Sequence, residues 1–208
     1  METKNPLIDK IVQLEWDMFQ NVRNIGGGKA SCQESPDTFA LMRSSQFMSW
    51  PDDAMESYII DLVEAKKEGR NLLTEKYARM MEFTSPLEYQ KVMEQLPHEA
   101  LEAKPLVEKI VKITLEWEKE VKEKYPNLAS RSRPLYSSED TTFSTSIETY
   151  LKGELSSYSN NTLELYYKDI LKQEAKNVNI PAKVLEAQVK LSGYRSLEHA
   201  NEVAQKQI

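Results

Sequence analysis

The chain reads as an all-α protein, and three observations predict it. Apolar residues recur at spacings of three and four along most segments. Proline directly follows a capping residue at Asn5-Pro6, Ser35-Pro36 and Ser85-Pro86, a pairing that opens helices. Strand-type alternation is absent, and only 6 of 208 residues are glycine. The expectation is about eight to nine helices in one compact domain over residues 1–208, with one long irregular loop near residues 126–146.

Asn5 caps a first helix carrying Leu7, Ile8, Ile11, Met18, Phe19 and Val22, which runs to about Asn24 before Gly26-Gly27-Gly28 stops it. Ser35-Pro36-Asp37 starts a second helix that continues to about Ser49, where Trp50-Pro51 forces a break. The next helix presents Ala54, Met55, Tyr58, Ile59, Leu62 and Val63 on one face and stops at Gly69. Leu72 to about Met81 follows, and Ser85-Pro86 opens a short helix with Leu87, Val92 and Met93. From Pro105, the residues Leu106, Ile110, Ile113, Trp117 and Val121 form the longest amphipathic stripe, which ends near Tyr125-Pro126. Residues 126–145 show no period. Helical signals resume at Ile147–Lys152, Thr162–Ala175, Pro181–Leu191 and after Ser196.

Composition limits the partners. The 27 lysines and arginines against 33 acidic residues leave a net charge of -6, without the basic excess that displaces counterions from nucleic-acid phosphates. No apolar run approaches the roughly 20 residues a membrane-spanning helix needs. Met1-Glu2-Thr3-Lys4 leads into an amphipathic helix rather than a secretory signal, and the lone Cys32 fits a reducing compartment, so a cytoplasmic location is expected.

Two charges break the apolar pattern. At about 100° per residue, Glu15 falls within the stripe of Leu7, Ile11, Met18 and Val22, with Trp16 to one side. Arg43 projects into the face formed by Phe39, Ala40, Phe47 and Trp50, with Gln46 beside it. Isolated buried charges are costly, so the two should meet. Either they form a structural ion pair or they line a polar pocket between helices. The irregular segment adds Arg131, Arg133 and Asp140, followed by Glu148, Tyr150, Glu154 and Tyr158; its arginines could orient an anion or stay as solvated surface charge.

Other chemistries are poorly supported. Gly26 to Ser31 has the glycines and lysine of a phosphate-binding loop, but Arg23 and Ala30 occupy places that need glycine and a hydroxyl residue. The helix start at Ser35–Thr38 could still receive an anion. His98 and His199 lie far from Cys32, and neither follows a glutamate by three residues, so no metal site is expected.

Glu15-Trp16-Asp17-Met18-Phe19, Ala30-Ser31-Cys32-Gln33, Met42-Arg43-Ser44-Ser45-Gln46-Phe47 and Glu148-Thr149-Tyr150-Leu151-Lys152-Gly153-Glu154-Leu155 resemble one bacterial family, domain of unknown function 4125. The resemblance covers roughly Leu7 to Tyr166. It implies no reaction, and it places Glu15, Arg43 and Gln46 within family motifs. Two functions remain open. One is binding or turnover of an anionic metabolite by Glu15, Trp16, Arg43, Gln46, Arg131, Arg133, Asp140, Tyr150 and Glu154, with Glu15 as acid or base and the cofactor unspecified. The other is a non-catalytic interaction or regulatory module. Oligomeric state is not legible.

Overall fold

A computed structural model describes residues 5–23, 27–97 and 103–206. Among these residues it is helical, with no strand beyond an isolated bridge between Thr141 and Ser144. It has eleven α-helices rather than eight to nine: α1 (Pro6–Gln20), α2 (Pro36–Phe47), α3 (Asp52–Lys67), α4 (Leu72–Thr84), α5 (Pro86–Val92), α6 (Ala103–Lys124), α7 (Pro126–Ala129), α8 (Ile147–Leu155), α9 (Asn160–Glu174), α10 (Ile180–Leu191) and α11 (Leu197–Gln205). The one-turn α7 lies in the segment expected to be irregular, where Pro126 supplies a first-turn residue whose missing N–H costs nothing. Helix α1 ends at Gln20, before the expected Asn24; Asn24, Gly26 and His98 lie outside the described residues.

Capping explains most boundaries. The Asn5 side chain accepts from the Leu7 N–H, and the side chains of Asn71, Ser146, Ser159, Asn179 and Ser196 accept in the same way from the first turns of α4, α8, α9, α10 and α11. Helix α3 stops at Gly69, whose φ of 73° carries the chain into the left-handed region while the Arg70 N–H returns to the Ala65 carbonyl.

The main core gathers Ile11, Phe47, Met55, Leu62, Ile110, Leu163 and Ile170. A smaller cluster of Val121, Tyr125, Val189, Leu197 and Ala200 sits where α11 meets α7 and α10. Helix α6, about 33 Å long at 1.5 Å per residue, packs against α7, α8, α9 and α10, burying Val107, Ile110, Val111, Thr114, Trp117 and Val121. Helix α2 lies between α1 and α10, and α4 between α1 and α8.

The segment after α7 is tied down. Ile147 and Glu148 donate backbone N–H groups to the Pro134 and Leu135 carbonyls, the Ser137 N–H donates to Glu148, and Leu135 is buried. A 3-10 turn, Ser137–Glu139, closes on the Glu139 carboxylate, which accepts from the Leu135 and Tyr136 N–H groups.

Helices α4 and α8 approach so closely that a Cβ on Gly153 would lie 2.7 Å from Met80 Cγ and 2.8 Å from the Lys76 carbonyl oxygen. Backbone cannot yield as a side-chain tip can, so Gly153→Ala should cost about 1–3 kcal/mol, the usual overpacking penalty. Urea unfolding measures this, and an unchanged midpoint would mean the two helices are not in such close contact.

Candidate functional site

The two pattern-breaking charges meet. Glu15 is 0% exposed and grips Arg43 with both oxygens: Arg43 Nε donates to Oε2 at 2.6 Å and Nη2 to Oε1 at 2.5 Å. Arg43 Nη2 also donates to Glu154 Oε1 at 2.9 Å, and its Nη1 to Gln46 Oε1 at 2.7 Å. Gln46 in turn donates to Glu154 Oε1 at 2.9 Å. Lys76, buried on α4, donates to Glu154 Oε2 at 2.6 Å. Two tyrosines complete the set, Tyr58 donating to Glu15 at 2.8 Å and Tyr158 to Glu154 at 2.7 Å. Two carboxylates thus face two cations, and the buried group is electrically neutral.

The electrostatics are consistent with that geometry. Burial alone would raise the Glu154 carboxyl, but Arg43 and Lys76 outweigh it and hold its pKa far below the usual range. Burial likewise opposes the Lys76 charge, and Glu154 overcomes it so that the ammonium is retained. Burial, reinforced by Glu15, pushes the Tyr58 hydroxyl well up, so it remains a donor. Burial, reinforced by Glu154, does the same for Tyr158.

Space near this cluster is divided in two. An inner cavity of about 20 Å³, touching Glu15, Lys76 and Tyr77, has room for about one water molecule. An open cleft of about 490 Å³, within the range of small-molecule sites, lies between α2, α6, α8 and α10. Arg43, Tyr150 and Glu154 border both spaces. The Tyr150 ring sits 3.7 Å from Lys76 Nζ on the inner side and 4.9 Å from Arg133 Cζ.

Six of the residues singled out in the sequence border that cleft: Arg43, Gln46, Arg131, Arg133, Tyr150 and Glu154. Three do not. Glu15 lies beneath it with both oxygens engaged, so a cleft occupant has no access to it as acid or base. Trp16 packs at a tilt against Phe19 and Phe39. Asp140 braces the start of α8, accepting from the Ser146 N–H at 2.5 Å and from the Thr149 hydroxyl. Ser35–Thr38 opens α2 away from the cleft lining, and Cys32 is exposed in a 3-10 turn.

Sequence reasoning missed Lys76, Tyr58 and Glu118. Lys76 stands four residues from both Leu72 and Met80 on the buried stripe of α4, so the projection that flagged Glu15 would have found it. Glu118 follows Thr114 by four residues and precedes Val121 by three, at the edge of the α6 stripe, and it borders the cleft. Burial pushes its carboxyl pKa up, only partly offset by Lys122. Lys122 forms no ion pair with it, and donates instead to Ser132 Oγ at 2.5 Å and to the Arg133 carbonyl at 2.8 Å.

Removing one member of a buried ion pair typically costs 3–5 kcal/mol, roughly, and Arg43→Leu should fall in that range because it leaves two carboxylates face to face. Glu15→Leu combined with Arg43→Leu leaves the neutral Lys76–Glu154 pair, so the double variant should lose less than the sum of the single losses. Chemical unfolding of the three proteins measures this, and strict additivity would dissolve the proposed coupling. The depressed Glu154 pKa also sets a pH dependence. The unfolded chain binds this proton at about pH 4.3 and the folded chain does not. Stability from Glu154 is therefore present above that pH and fades as pH falls toward the folded value. Glu154→Gln should flatten the acid limb of a stability profile.

No curated protein and no solved structure matches this chain. A family model does, over residues 5–202, further than the Leu7 to Tyr166 span legible in the motifs. The chain belongs to the family described as protein of unknown function, DUF4125.

Proposed function

We propose that this chain binds a small anionic molecule in the cleft between α2, α6, α8 and α10. One observation carries the reading: the cleft sets Lys122 and Arg133, whose hydrogen-bond partners are neutral oxygens, beside an apolar wall of Val121, Leu151, Val184 and Leu185. A cation held by a carbonyl keeps its field, and that field attracts an anion. Arg43, Gln46 and Glu154 form the floor. Four of the five guanidinium N–H groups of Arg43 are engaged in the buried cluster, which leaves one at Nη1 for an occupant.

Glu118 takes the acid–base role first assigned to Glu15. It is half-buried at the cleft wall, and its raised pKa suits a group that exchanges a proton with a bound molecule. We read residues 1–208 as one domain working in a reducing compartment such as a bacterial cytoplasm, to which the single exposed Cys32 is suited. Among the described residues no helix is long and apolar enough to cross a membrane.

A second reading, a protein-contact module, draws on different residues. Phe143 is 99% exposed and Leu87 75% exposed, outside the cleft lining. If these form a contact surface, Phe143→Ser should weaken self-association in analytical ultracentrifugation and leave small-molecule binding unchanged.

The cleft is tested by thermal-shift measurements against pools of anionic and neutral metabolites. A pool component at about a hundred times its Kd should stabilise the wild type by about 2.7 kcal/mol. Arg133→Gln, an exposed substitution that should change basal stability by no more than about 0.5 kcal/mol, should lose that shift. An equal shift in both proteins would take Arg133 out of the site, and no shift with any anionic pool would refute the reading.

A further inference from the structure

The cleft's donors narrow the class of anion. Three helix N-termini lie at its border, those of α7, α8 and α10, and nearly all of their first-turn amides are engaged; in α8, Ile147 and Glu148 donate to the Pro134 and Leu135 carbonyls and Thr149 to Ser146 Oγ. In α10, Pro181 lacks an N–H and the Ala182 N–H donates to Asn179 Oδ1 at 2.9 Å, which leaves the Ile180 N–H alone in that turn. In α7, Pro126 lacks an N–H, and the Asn127 and Leu128 N–H groups both donate to Asn201 Oδ1, at 3.0 and 3.2 Å. The run of backbone amides that typically cradles a phosphate is therefore reduced to the single N–H of Ile180. Side-chain donors remain: the part of the Arg133 fork not used by the Thr145 carbonyl, the third N–H of Lys122 and the one open N–H of Arg43. A guanidinium fork grips two oxygens of a carboxylate or of a phosphate alike, so it is the scarcity of free amides that favours the carboxylate.

The rest of the wall is mostly aliphatic and aromatic, interrupted by Thr114 and Gln188, with Tyr166 stacked on Trp50 at 4.3 Å. From these constraints we infer that the occupant is a monocarboxylic acid with a hydrophobic body, its carboxylate held by Arg133 and Lys122 and its body laid along Val121, Leu151, Val184 and Leu185. The inference rests on the cleft being the binding site and adds the chemistry of what enters it.

Isothermal titration with butanoate, hexanoate, octanoate, octyl phosphate and octanol tests it on the full chain. The carboxylates should bind, tightening about fourfold per added methylene as apolar surface is buried, with octanoate tighter than octyl phosphate and octanol. Arg133→Gln should weaken octanoate roughly tenfold or more, the loss of a charge-assisted hydrogen bond, and leave octanol unchanged; circular dichroism checks that the variant is folded. Tighter binding of octyl phosphate would overturn the carboxylate assignment and leave the anion-binding cleft standing. Equal binding of octanoate and octanol, with Arg133→Gln silent, would overturn recognition of the head group. If none of the five binds while an anionic pool still shifts the wild-type melting temperature, the monocarboxylate assignment falls and the cleft stands; if no pool shifts it either, both fall.

Discussion

The electrical neutrality of one buried cluster is the constraint on which the rest of the structure depends. Glu15, Arg43, Lys76 and Glu154 are all taken out of water, and each buried ion costs several kcal/mol in lost hydration. With Arg43 alone between the two carboxylates, the interior would hold a net negative charge; Lys76 cancels it. The remaining lone pairs are met by Tyr58, Tyr158 and Gln46. These groups come from α1, α2, α3, α4, α8 and the turn after α8. A shift of α1, α2, α4 or α8 leaves a charge without its counterpart, and a shift of α3 removes the Tyr58 hydrogen bond to Glu15, so the cluster constrains where these helices sit.

Small features elsewhere serve that placement. Gly153 lets α8 lie against the α4 backbone at Lys76, and its neighbour Glu154 then reaches both Lys76 and Arg43. Gln33, buried beside the end of α1, donates to the Phe19 and Val22 carbonyls and accepts from the Ala30 N–H. It ties the start of the segment leading to α2 onto the helix that carries Glu15. The motif Ala30-Ser31-Cys32-Gln33 thus has a structural use in which Cys32 is not needed.

The cleft inherits its floor from the cluster. Arg43, Gln46 and Glu154 have most of their hydrogen-bonding capacity committed inward, which fixes their outer edges without cost when something binds. The rim comes from a segment held by Asp140, Glu139 and Glu148, so Arg133 projects from an anchored support. Rigid floor and anchored rim together make a preformed cavity.

Helix existence and the Glu15–Arg43 pair were legible in the sequence because both are local consequences of a 3.6-residue period: a charge inside an apolar stripe needs an opposite charge, and each of the two stripes held one. Family membership was legible for the same local reason, through short ordered motifs. The partners of the pair were not. Glu154 and Lys76 stand 111 and 78 residues from the groups they meet, and no periodicity links positions on different helices. That Glu15 is sealed while Glu118 borders the cleft was likewise decided by tertiary packing, since burial and access depend on which helices close over a side chain. Sequence alone determined which residues had to face inward; only the assembled helices determined which of them stayed sealed and which came to border open space.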